Sequence, residues 1–158
     1  VRKMAKKIYS DMLFRPIEPP DYKKNITLKE YAEIIVARLG LKRKSSKADH
    51  ASLLIELLKF KKDEIPIQIE DISKILGVSV SQAYEEIRKW RTLGFLEFVK
   101  IKKGDNFIKG YTLSAPTVNR LMDKLESSLS SFLRATRRIA KDFDDVFMLE
   151  FVRKEKTN

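Results

Sequence analysis

The sequence predicts a mainly α-helical fold that carries one small β-hairpin. Three observations predict it. Apolar residues recur at helical spacing over several separate stretches, and two alternating runs flank Gly104-Asp105-Asn106. Residues 117–158 contain neither glycine nor proline, so nothing interrupts a long last helix. The expected division is a basic N-terminal helical extension over 1–48, a central domain over 49–113 and a long C-terminal helix over 114–158.

The totals narrow the function classes. With 158 residues and 43% apolar side chains, the chain can build a core. It has no cysteine, which removes disulfides, thiolate metal sites and cysteine nucleophiles. A single histidine, His50, argues against zinc and against histidine-based hydrolysis. No glycine-rich phosphate loop is present, and the adjacent carboxylates Asp144-Asp145 cannot face one another on a helix. The expectation is therefore not an enzyme, with no cofactor and no metal. No apolar run has the length of a membrane span, and the charged start leads into no signal-peptide core, so a cytoplasmic protein is expected. The chain starts at Val1 rather than methionine, as a fragment of a longer protein would.

Net charge is +11, which favours a polyanionic partner. The excess is uneven. Residues 1–50 carry 13 Lys and Arg against 6 Asp and Glu, whereas residues 51–113 carry 11 against 9. Most of the surplus therefore precedes the central domain.

Taken in order, Met4, Ile8 and Met12 mark an amphipathic opening helix over 2–14, stopped by Pro16, Pro19 and Pro20. Thr27-Leu28-Lys29-Glu30 reads as a capping box, and the helix it opens runs to Gly40. Lys42, Arg43 and Lys44 head the densest basic run, which in a loop suits phosphate contacts or is a solvated connection. Asp49 caps the next helix, expected to end near Phe60, with Leu53, Leu54, Leu57 and Leu58 as its core stripe. His50 falls in the first turn and reads as an ordinary helix-start residue. Pro66 keeps Ile65–Gln68 extended.

Ile72, Ile75 and Leu76 then give a short helix ending at Gly77. Ser79-Val80-Ser81-Gln82 is a second capping box, opening a helix through Trp90. Ala83, Ile87 and Trp90 step by four and three, so they face the core. Ser81, Gln82, Tyr84, Glu85, Arg88 and Lys89 are left outward. Glu86 is expected at the side of this helix, paired on a solvated face. Phe95–Lys102 and Phe107–Leu113 follow as the strands of the hairpin.

Two short helices and a two-stranded ribbon in that order read as a winged helix-turn-helix. The run from Leu76-Gly77-Val78-Ser79 to Gly94-Phe95-Leu96-Glu97 resembles that domain in archaeal and bacterial transcriptional regulators, similar in outline to the MarR and ArsR groups. The likeness spans roughly residues 49–113 and singles out no subfamily. It implies that the outward side of the second helix enters the DNA major groove, with Ser81, Gln82, Tyr84, Glu85 and Arg88 at the bases. Gln82 suits adenine, Arg88 guanine and Glu85 cytosine. Phosphate or minor-groove contact is expected from Lys89 and Arg91, and from Lys100, Lys102, Lys103, Asn106 and Lys109 on the wing. The same wing lysines would also discourage edge-to-edge aggregation.

In the last segment Met122, Leu125, Leu129, Phe132, Ile139, Phe143 and Val146 continue a four-and-three spacing, broken only by the polar Thr136. A rod of roughly 50 Å cannot bury this stripe against a small domain, so a coiled-coil homodimer is expected. The expected function is a sequence-specific DNA-binding transcriptional regulator acting on double-stranded DNA. A small-molecule effector has room beside the long helix, but no residue set specifies one. The alternative is a protein-interaction winged helix within a transcription or replication assembly. Adjacent Glu85 and Glu86 support that alternative, because they place anions on a helix meant to approach phosphates.

Overall fold

The computed structural model describes residues 14–43 and 45–157. The opening helix expected over 2–14 and the basic Lys44 lie outside the described residues, apart from Phe14. Helix α1 (Leu28–Arg38) begins as its Thr-x-x-Glu spacing predicts, with the Thr27 hydroxyl accepting the Glu30 amide. It buries Ala32 and Val36. Helix α2 (His50–Lys62) runs two residues past the expected end and is capped by Asp49, whose carboxylate accepts the Ser52 amide. Lys29 of α1 reaches both Asp49 oxygens at 2.8 Å, joining the two helix starts. Burial alone would raise the Asp49 pKa, but the hydrogen bonds from Lys29 and Ser52 hold it below the ordinary carboxylate range.

Helix α3 (Ile69–Leu76) ends on Gly77, whose φ of 71° is the left-handed turn that glycine adopts without strain. The Ser79 hydroxyl then accepts the Gln82 amide and starts α4 (Val80–Glu86). The single helix expected through Trp90 is divided: α5 (Arg88–Thr92) follows after Ile87, whose ψ of −4° tightens the turn. Hydrogen bonds from Ile87 to Ala83 and from Arg91 to Ile87 carry the direction across the joint. Ala83, Ile87 and Trp90 are all buried, so the core face read from their spacing is intact despite the break.

Strands β1 (Leu96–Lys103) and β2 (Asn106–Leu113) pair antiparallel, Leu96 opposite Leu113 and Lys103 opposite Asn106. Only Gly104 and Asp105 turn the chain, and Gly104 has a φ of 66°, as the first central position of a type II′ turn requires. The extended segment before α3 joins this ribbon, with Ile67 and Tyr111 exchanging backbone bonds of 2.8 and 2.7 Å. That approach needs Gly110, since a Cβ there would lie 2.6 Å from the Ile67 carbonyl oxygen.

Helices followed by the hairpin form the winged helix-turn-helix arrangement, in a mainly α chain. Its core gathers Trp90 and Phe95 with Leu53, Leu57, Ile72 and Leu113, all almost fully buried. The chain falls into two compact units, the first ending at Leu121 and the second beginning at Met122. The second holds the long helix α6 (Val118–Thr157) from Met122 onward, and the 40 residues of the whole helix span about 60 Å. The Thr117 hydroxyl accepts the Arg120 amide at its start. Among the described residues no helix is long and apolar enough to cross a membrane, and no cluster of potential metal ligands occurs.

Candidate nucleic-acid interface

The apolar spacing of α4 decides what it turns outward. With Ala83 and Ile87 in the core, Ser81, Gln82, Tyr84 and Glu85 are exposed. Arg88 lies in α5 past the joint and is half-buried, 4.0 Å from the Glu85 carboxylate. Lys89 is also half-buried. Arg91 is exposed, and its guanidinium lies over the Tyr111 ring at 5.6 Å, bracing α5 against the hairpin.

Glu86 is not on the solvated side, as its sequence neighbourhood suggests, but only 3% exposed. A buried carboxylate needs partners, and here it has four. His50 Nε2 lies 2.8 Å from Oε2, while Arg43 Nη2 at 2.9 Å, the Ser46 hydroxyl at 3.0 Å and Gln82 Nε2 at 3.3 Å reach Oε1. Burial alone would raise the Glu86 pKa, but the bonds from His50, Arg43, Ser46 and Gln82 bring it down to about 2. His50, far from an ordinary helix-start residue, is fully buried. The Trp90 indole N–H donates to its Nδ1 at 3.0 Å. An indole nitrogen can only donate, so Nδ1 accepts and Nε2 carries the proton given to Glu86. The reason sequence spacing missed this pair is that each satisfies the other across 36 residues.

This cluster joins the basic loop to α4. Arg43, expected at a phosphate, gives one guanidinium nitrogen to Glu86 while its side chain stays 45% exposed. Lys42 is exposed, and its carbonyl accepts from Arg15. Loop residues Arg43, Ser46 and Lys47 share a depression of about 270 Å³ with Gly77 and Gln82, so the loop lies beside the start of α4. Gln82, expected to pair bidentately with adenine, has its amide nitrogen turned toward Glu86 rather than back to Ser79.

Strand alternation sorts the wing into two faces. Phe98, Lys100 and Lys102 of β1 share one face with Phe107, Lys109 and Tyr111 of β2. Lys100 stands directly opposite Lys109. The Lys100 ammonium lies 4.4 Å from the centre of the Phe107 ring, and Phe98 meets Tyr111 edge to face at 5.2 Å. Phe98 and Phe107 are both more than half exposed. Facing lysines repel each other and so weaken the hairpin. Lys103 and Asn106 close the other face at the tip, both exposed.

The residues expected to dimerise do not share one environment. Leu125 is buried in the single chain and Met122 and Leu129 are half-buried, whereas Phe132, Ile139, Phe143 and Val146 are exposed. The Thr136 hydroxyl donates back to the Phe132 carbonyl at 2.8 Å, which satisfies the one polar side chain in the seam.

No family model matches this chain, and no curated protein matches it. Among solved structures it is similar to a "possible transcriptional regulator" from Methanosarcina mazei Go1, at 15% identity and a TM-score of 0.37. That similarity covers 78% of this chain and 94% of the other.

Proposed function

We propose that this chain is a sequence-specific DNA-binding transcriptional regulator acting as a homodimer. The wing carries the reading. A hairpin that sets Lys100 against Lys109, with Lys102 and two exposed phenylalanines on the same face, concentrates positive charge that an anionic partner would neutralise. Beside it, α4 turns Ser81, Gln82, Tyr84 and Glu85 outward, with Arg88 next in line for the base edges. Lys89, Arg91, Lys102, Lys103 and Lys42 are assigned to phosphates. In this reading Arg43 holds the loop in place.

Ten large apolar side chains of α6 between Phe132 and Val152 stand at least 40% exposed. Together they leave on the order of 1,000 Å² uncovered per chain. The part of that surface on the side of Phe132, Ile139, Phe143 and Val146 suits self-association of α6. A two-fold pair of recognition helices then reads half-sites about 34 Å apart.

The test is a gel shift of genomic DNA fragments at rising salt. A shift at low salt that weakens with a log–log slope near −5, as about six neutralised phosphates require, supports the proposal. No shift at low salt contradicts it. A second reading, a protein-contact module, is favoured by the absence of a cation on the outward side of α4 itself, which carries Glu85 instead. A chain that ignores DNA at every salt concentration would favour that reading.

A further inference from the structure

We infer that the lysine-bearing face of the wing is a stacking platform for unpaired bases, so that this chain also holds single-stranded DNA. The inference rests on DNA being the partner, as proposed above, and goes further in the form of DNA that the wing takes.

The hairpin register builds that face as a ladder. Phe98 stands opposite Tyr111, Lys100 opposite Lys109, and Lys102 opposite Phe107. Rungs on one face follow at about 7 Å, so an aromatic rung, a cationic rung and a mixed rung lead outward from the core. No carboxylate from either strand shares the face, because Glu97 pairs with Thr112 on the other side. Asp105 belongs to the turn. At the inner end, Arg91 and Phe98 meet the same Tyr111 ring, at 5.6 and 5.2 Å. Cations interleaved with rings therefore run from α5 to the wing tip.

Phosphate contact explains the lysines but not the rings. Phe98 is 53% exposed and Phe107 57%, yet both are held in place. Phe98 packs on the buried Tyr111, and Phe107 carries the Lys100 ammonium over one side, 4.4 Å from its centre. The other side of the Phe107 ring is left for a ligand. Steadied rings between lysines suit a partner that alternates flat apolar faces with anions, and a single nucleic-acid strand is such a partner. In a closed duplex the base faces already stack on one another. It offers the wing phosphates, sugars and groove edges, but nothing for two rings to stack on.

The spacing gives the arrangement. Phe98 and Phe107 lie two rungs and one strand apart, about 14 Å. Neighbouring nucleotides of one strand do not reach that far. A base on each ring therefore leaves at least one nucleotide between them, with its phosphates over the rung of Lys100 and Lys109. Another copy of the same face would set lysine against lysine, so charge disfavours it as the occupant. DNA rather than RNA follows from position, since Arg91 ties this face to α5, whose cations are assigned to DNA above.

Fluorescence anisotropy of the full chain with a labelled thymidine oligonucleotide of about 12 nucleotides, at low salt, tests this. The wild type is expected to bind it. Phe107→Ala is expected to weaken that binding roughly five- to a hundredfold and to leave the duplex shift unchanged. Phe107→Leu should be as weak, because an apolar chain without a ring does not stack. Phe107→Trp should retain binding, and the oligonucleotide should quench its new indole. A wild type that shifts duplex but ignores the oligonucleotide would overturn the platform and leave the proposed function standing. One that ignores both would overturn both. Binding that Phe107→Ala and Phe107→Leu leave intact, or an indole that stays unquenched, would overturn stacking on the wing. Tighter binding of the ribonucleotide version would overturn the assignment to DNA.

Discussion

Two polar residues sit where apolar periodicity asks for apolar ones. His50 precedes Leu53, Leu54 and Leu57 on the stripe of α2, and Glu86 lies between Ala83, Ile87 and Trp90. Each is buried because the other is there, and Trp90 and Arg43 complete the set. Glu86→Gln keeps the shape but removes the charge that four donors surround, so it is expected to cost about 3 kcal/mol at neutral pH in denaturant titration. The pH dependence has a definite sign. A carboxyl held at about 2 when folded, against an ordinary 4.5 when unfolded, adds stability that is fully present above 4.5 and is lost as pH falls toward 2. The variant should lack that limb and converge with the wild type in acid. Parallel acid denaturation of the two proteins would assign the loss to other carboxylates. Trp90→Phe leaves His50 Nδ1 buried without its donor and should cost about 1–3 kcal/mol, read as a lowered melting temperature.

At the scale of elements, much is legible in the sequence. Thr27, Asp49 and Ser79 are caps because their oxygens meet the amide three residues on, a local matter that spacing reveals. Gly77 and Gly104 mark turns because both need positive φ. The break at Ile87 was not legible, and neither was the bridge from Ile67 to Tyr111, which joins segments distant in sequence. Gly110→Ala would press a Cβ onto the Ile67 backbone, and the wing should loosen. Faster amide exchange at Ile67 and Tyr111 would show it, and unchanged exchange would mean the bridge is dispensable. The wing and Arg88 of α5 should also fail differently. Lys102→Ala with Lys103→Ala is expected to weaken all DNA sequences alike and to flatten the salt slope by about 2, whereas Arg88→Ala should relax preference at one base position by about 1–3 kcal/mol. The reverse pattern, measured by competition binding, would exchange the two roles.

For the whole molecule, charge and assembly are linked. The chain carries +11 overall, yet α4 presents no cation of its own, so in the proposed complex with DNA the phosphates fall to the wing, the loop after α1 and α5. Such a divided surface binds weakly as a single copy, and joining copies multiplies the contacts. The stripe along residues 118–146 predicts a long amphipathic helix, which α6 is. It did not announce that Leu125 is buried in the single chain while Phe132 and the apolar residues beyond it stay exposed. Periodicity alone is blind to that division. The central claim, that paired copies of this chain read DNA by sequence, is tested most directly by selecting bound sequences from random DNA with the full chain. The expected result is an inverted repeat whose half-sites lie about one helical turn apart. Recovery of a pool with no enriched sequence, or of a single asymmetric site, would contradict it.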